Sequence, residues 1–175
     1  MERGIGTTHI ALTLANYVCS KLGMKTAYIE LNATNQILSI SRKQQKSSFR
    51  YKGIMFYPNI SVTSLSEILH LDYDVFILDM GVLNTYTIRE FLRCDKPLLV
   101  CSPSKWRYTQ TMERIKKTFY HLSHRHCSVI LNLSQKESTT TRFISSCEHV
   151  PFPFIPNPFQ LETNSFQTIY QILKF

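Results

Sequence analysis

Met1-Glu-Arg-Gly-Ile-Gly-Thr-Thr-His9 opens the chain, and its two glycines decide how everything after them is read. A phosphate-binding loop has the pattern G-x-x-x-x-G-K-[ST] and runs into a helix. Gly6 takes the second glycine and Thr8 the hydroxyl position, while Thr7 stands where the lysine belongs and Met1 where the first glycine belongs. Backbone N–H groups at a helix N-terminus can cradle an anion with glycines alone. The missing part is the point charge that pairs with the outer phosphates. The pattern therefore points to nucleotide binding with a poor capacity for cleavage.

Working outward, residues 8–22 follow as a helix, with Ile10, Ala11, Leu14, Ala15, Val18 and Leu22 at three- and four-residue spacing and Gly23 as its stop. Thr26–Leu31 is a short strand of the buried type. Residues 34–46 read as helical and end in a basic, Gln-rich turn. Short strands are expected near Phe49–Tyr51 and Gly53–Phe56, with a helix near Leu65–Leu69. Tyr73–Asp79 is a strand ending in a carboxylate. Residues 85–93 form a helix, Pro97–Cys101 an apolar strand, 106–122 a long basic helix, and Cys127–Leu131 a strand that ends at Asn132. Residues 138–147 carry no clear pattern. Pro151, Pro153, Pro156 and Pro158 mark an extended segment, and a last helix covers about 163–174. Alternating helices and buried strands predict an α/β domain with a mainly parallel sheet flanked by helices.

The 175 residues are expected to form a single domain. With 43% hydrophobic and 18% charged residues the composition is globular. No apolar run is long enough to cross a membrane and no signal peptide is expected. Cys19, Cys94, Cys101, Cys127 and Cys147 lack C-x-x-C pairing, which fits reduced thiols in a cytoplasm. A net charge of +8 suits an anionic partner such as a nucleotide, nucleic acid or acidic lipid.

In order along the chain stand a glycine loop opening a helix, Ile29-Glu-Leu-Asn32 at one strand end, Ile77-Leu-Asp79 before Met80-Gly81 at another, Leu131-Asn132 at a third, and the proline-rich loop. This order resembles the MinD/ParA branch of P-loop ATPases, closest in flavour to the TadZ/CpaE group of pilus-assembly localisation proteins. The resemblance spans essentially the whole chain and implies a three-layer P-loop NTPase-like domain. It implies that Gly4, Gly6 and Thr7 surround the phosphates of ATP or ADP, that Thr8 and Asp79 hold Mg²⁺, and that Asn132 reads the purine beside Pro156 and Asn157. A P-loop normally joins a strand to a helix, and that strand has no room ahead of Gly4. The domain is therefore expected to lack its first strand and to be truncated at its N-terminus.

The departures from the family set the expected function. Its signature lysine aligns with Glu2, the ordinary loop lysine with Thr7, and the carboxylate that orients water with Asn32. Glu30 sits two residues earlier, and Arg3 occupies a glycine position. Each lost charge is expected to cost about 2–4 kcal/mol of transition-state stabilisation. The resemblance thus implies a degenerate localisation or assembly scaffold, nucleotide-responsive or nucleotide-independent, with a protein partner or a second copy of itself. Its rivals are a slow ATPase and a nonspecific DNA binder using Lys105, Arg107, Arg114, Lys116, Lys117 and Arg125. His121, His124, His126 and Cys127 read as the end of a helix rather than as a metal cluster.

Overall fold

The computed structural model describes residues 4–41, 47–102, 104, 113, 116, 127–132 and 149–174. Helix α1 (Thr7–Lys21) follows the glycine loop directly. Ile10 to Val18 are all buried, because the helix packs against the first sheet and against the last helix, α4 (Thr163–Leu173). Tyr17 meets Phe166 of α4 edge to face at 5.7 Å. Gly23, at φ 70°, ends α1, and Met24 N–H reaches back to the Val18 carbonyl at 3.3 Å, the left-handed termination that glycine permits.

Strand β1 (Thr26–Glu30) is buried at every residue and lies inside a four-stranded sheet. Its parallel neighbours are β3 (Ile54–Tyr57) and β4 (Val75–Asp79). Strand β2 (Phe49–Tyr51) forms an antiparallel hairpin with β3 through Lys52 and Gly53, both at positive φ. A second sheet is wholly parallel and runs β5 (Leu98–Cys101), β6 (Ser128–Leu131), β7 (His149–Pro151). Helices α2 (Val62–Leu69) and α3 (Thr87–Arg93) precede and follow β4 in the chain. The Ser61 hydroxyl caps α2, accepting Ser64 N–H at 3.2 Å.

Two apolar layers hold the halves together. Ile29 of β1 shares one with Leu65 of α2, Phe91 of α3, Leu99 and Val129. On the opposite face Ile10, Leu14 and Val18 of α1 pack with Val100, Ile130 and Ile169. The result is the expected three-layer α/β arrangement, mainly parallel sheets between helices. Among the described residues, no helix is long and apolar enough to cross a membrane.

Most expected elements stand within a residue or two of their predicted bounds, and two differ. Instead of a helix from residue 34, a 3-10 turn spans Gln36–Ile40. Asn35 at φ 54° precedes it, and a left-handed residue at that point cannot continue an α-helix begun at residue 34. Strand β7 meets, at Pro151, the start of what the prolines marked as extended chain. It is the outer strand of its sheet, where a proline costs no ladder bond on the open side. The basic stretch 106–122, the ambiguous stretch 138–147 and the His121–His126 group lie mostly or wholly outside the described residues, as do residues 42–46.

The sheets do not join. Among the described residues β4 pairs with β1 and β5 with β6, and no ladder links β4 to β5. Between them runs a cavity of about 460 Å³, lined by Val75–Leu78 on one side and Leu98 and Val100 on the other. Val75 to Leu78 are only half-buried, although every residue of neighbouring β1 is buried.

Candidate functional site

The site forms where the ends of β1, β4 and β6 meet the start of α1. Gly4 (φ 81°) and Gly6 (φ 87°) turn the loop through left-handed backbone. Gly6 is needed for space as well, since a Cβ there would run into the Asn132 side-chain amide. That amide donates to the Ile5 carbonyl at 2.7 Å and ties the end of β6 to the loop.

Asp79 is the hub, buried to 1% exposure at the end of β4. Its Oδ2 accepts the Thr8 hydroxyl at 2.7 Å and the Tyr28 hydroxyl at 2.8 Å, and its Oδ1 accepts Gly81 N–H at 3.0 Å. Burial, then the Asp79 and Glu30 charges, hold the Tyr28 phenol well above its ordinary pKa, so Tyr28 serves as a neutral donor. Thr8 gives its proton to Asp79, which leaves its oxygen lone pairs free to face a ligand.

The two residues placed near water activation are both engaged. Asn32 Nδ2 donates to the Asp79 carbonyl at 3.0 Å, while its Oδ1 accepts Thr34 N–H at 3.1 Å and lies against the Thr34 hydroxyl. Glu30 is fully buried. Its Oε1 accepts Gln36 N–H at 2.9 Å and the Thr34 hydroxyl at 3.3 Å, and its Oε2 accepts Asn59 N–H at 3.3 Å. Burial pushes the Glu30 carboxyl above the usual range, and the amides of Asn59, Gln36 and Ile37 oppose that shift without cancelling it.

A raised carboxyl means that the folded protein holds more protons than the unfolded chain between the ordinary carboxylate pKa and the Glu30 value. The unfolding free energy therefore falls as pH rises through that window. Glu30→Gln is expected to flatten this part of the profile. Urea midpoints between about pH 4 and 7 check it, and an unchanged slope would remove Glu30 as the cause.

The structure brings together Gly4, Gly6, Thr8, Asp79 and Asn132. Thr7 is the first residue of α1 and is half-buried. Pro156 is exposed, in a segment held to α1 by His9, whose Nε2 lies 2.7 Å from the Ile155 carbonyl, and by Asn16, which donates to the Pro158 carbonyl at 3.0 Å. Tyr28 is the site residue that the motif reading missed. The available signal was strand alternation, which puts Tyr28 on the same face as Glu30, while Glu30 pairs in register with Asp79.

Two hard oxygen donors, Thr8 and Asp79, beside a helix N-terminus suit Mg²⁺ with a phosphate. The chemistry of the donor set therefore fits the metal and nucleotide that the resemblance implies. Cys19 and Cys94 are free thiols.

No family model matches the chain and no curated protein matches it in sequence. Solved structures do match. A putative plasmid partition protein from Borrelia burgdorferi bound to AMPPNP aligns with a TM-score of 0.70 at 13% identity, covering 99% of this chain and 93% of that one. The MinD cell division protein of Aquifex aeolicus gives 0.69 at 18%, over 99% and 92%. The ATP complex of McdA from Cyanothece gives 0.64 at 13%, over 99% and 94%. At such identities the likeness shows the fold, which is the α/β, P-loop NTPase-like fold expected from the sequence. Alignments this complete argue against the expected loss of the first strand.

Proposed function

We propose that this chain is a MinD/ParA-like domain that binds ATP or ADP with Mg²⁺ and works as a localisation or assembly scaffold without turnover. The observation that carries the reading is the Thr8–Asp79 hydrogen bond of 2.7 Å beneath the Gly4–Gly6 turn. Backbone N–H groups from Gly4 to Thr8 would hold the phosphates. Thr8 would ligate the metal directly, and Asp79 would hold Thr8 and a metal-bound water. Bound Mg²⁺ would neutralise phosphate charge. Asn132 would read the purine base, with Pro156 beside it.

Several features support binding over cleavage. Thr7 supplies no cation, and Asn32 and Glu30 spend their side-chain oxygens on local donors. Catalysis of phosphoryl transfer rests on charge neutralisation and on positioning of the attacking water, and neither is provided by these residues. The scaffold role, a cytoplasmic place, a partner protein or second copy, and membership of a pilus or secretion assembly extend the TadZ/CpaE resemblance.

Calorimetry with ATP and magnesium is expected to show binding, and a phosphate-release assay is expected to stay at background. Sustained release abolished by Asp79→Ala would overturn the scaffold reading in favour of a slow ATPase. Salt-sensitive binding to random-sequence duplex, with no ATP binding, would favour the DNA-binding alternative.

A further inference from the structure

The residues that would hold the metal fix which way a nucleotide lies. Thr8 and Asp79 meet on the β4 side of the glycine loop. In nucleotide complexes the metal bridges the two outer phosphates. The nucleoside end therefore leaves the loop on its other side, where Asn132 follows β6 and bonds the Ile5 carbonyl at 2.7 Å.

That side is walled by residues 152–155. Phe152 N–H bonds the Leu131 carbonyl at 2.8 Å. The Ile155 carbonyl accepts from His9 Nε2 at 2.7 Å, one residue beyond Thr8. The segment thus bridges the end of β6 and the first turn of α1. The side chains of Phe152 and Ile155 turn inward, at 4% and 6% exposure, and share an apolar cluster with Ile5 of the loop and Ile10 of α1. Phe154, between them, does the opposite. Its side chain is 80% exposed, more than any other large apolar residue among the described ones. Pro153 and Pro156 fix φ on either side. An exposed ring therefore stands at the rim of the loop on a backbone anchored at both ends.

We propose that Phe154 is a specificity-determining residue whose ring stacks on the base of the bound nucleotide. The assignment rests on Gly4–Thr8 as the phosphate loop, and it names the contact that tells a nucleotide from a bare polyphosphate. Any base offers a flat π-face to an aromatic side chain. A ring displayed on anchored backbone loses little freedom when the base lands on it. Burying the ring against the base also removes its apolar surface from water.

Two ligands separate the ring from the loop. ATP and inorganic tripolyphosphate, each with magnesium, are titrated by calorimetry into the full chain and into Phe154→Ala. The side chain is exposed, so the melting temperature is expected to hold. ATP affinity is expected to fall about 10–100-fold, the range that loss of base–aromatic stacking gives, while tripolyphosphate affinity stays unchanged. Phe154→Trp is expected to keep ATP binding. Its fluorescence, measured against the wild-type chain with its single Trp106, is expected to be quenched by ATP and not by tripolyphosphate. Unchanged ATP affinity in Phe154→Ala, an equal loss for both ligands, or quenching by both would overturn the assignment and leave the phosphate loop standing. A wild-type chain that binds neither ligand would overturn the phosphate-loop reading, and this assignment with it.

Discussion

Asp79→Ala is expected to lower the unfolding free energy by about 2–4 kcal/mol and to abolish magnesium-dependent nucleotide binding. The carboxylate accepts from Thr8, Tyr28 and Gly81. Its removal strands the fully buried Tyr28 hydroxyl, and an unsatisfied buried group costs about 1–3 kcal/mol. Hydrogen bonds to a charged group are worth about 1.5–3 kcal/mol each. Against this, the folded state no longer has to desolvate a carboxylate, which keeps the net loss below the sum of the bonds. Urea unfolding with an unchanged m-value is the measurement. Asp79→Asn, which keeps the volume and one acceptor oxygen, should lose less. A loss under about 1 kcal/mol for the alanine would mean that the hub does not hold the loop.

Thr7→Lys is expected to tighten ATP binding by roughly 10–100-fold. It restores the cation that the loop pattern calls for, and a charge-assisted hydrogen bond of about 1.5–3 kcal/mol converts to that range. Titration of both proteins with a fluorescent ATP analogue in magnesium reads the change directly. Equal affinities would place the outer phosphates away from the start of α1 and would remove the basis for assigning Gly4–Thr8 to them. The substitution alone is not expected to restore turnover, because Asn32 still lacks a carboxylate.

What the sequence revealed was set by the strength of local signals. Helix α1 was legible because Ile10, Leu14 and Val18 repeat at helical spacing and Gly23 stops it. Thr8 and Asp79 were legible because motif and strand end fix their positions independently of packing. The 3-10 turn at Gln36–Ile40 was not, since Ile37 and Ile40 give the same three-residue apolar spacing in a 3-10 turn as in a short α-helix. Strand β7 was hidden by Pro151, which reads as a strand breaker until its place at the sheet edge is known. Tyr28 escaped because its role depends on a partner 51 residues away, and no local pattern encodes that pairing. The engagement of Asn32 and Glu30 was invisible for the same reason.

The split sheet also bears on how cooperatively the chain unfolds. A continuous ladder couples every strand to its neighbours through hydrogen bonds that fail together. Among the described residues the ladder is interrupted between β4 and β5, and the coupling across is carried by the packing of side chains such as Ile29 with Leu99, and Leu14 with Val100, and by the Thr8–Asp79 and Asn132–Ile5 bonds to the shared loop. Side-chain layers loosen gradually, while a ladder opens strand by strand. The β2-β3-β1-β4 half and the β5-β6-β7 half are thus expected to behave as two foldons with separate opening free energies, joined by α1 and the apolar layers it helps to close.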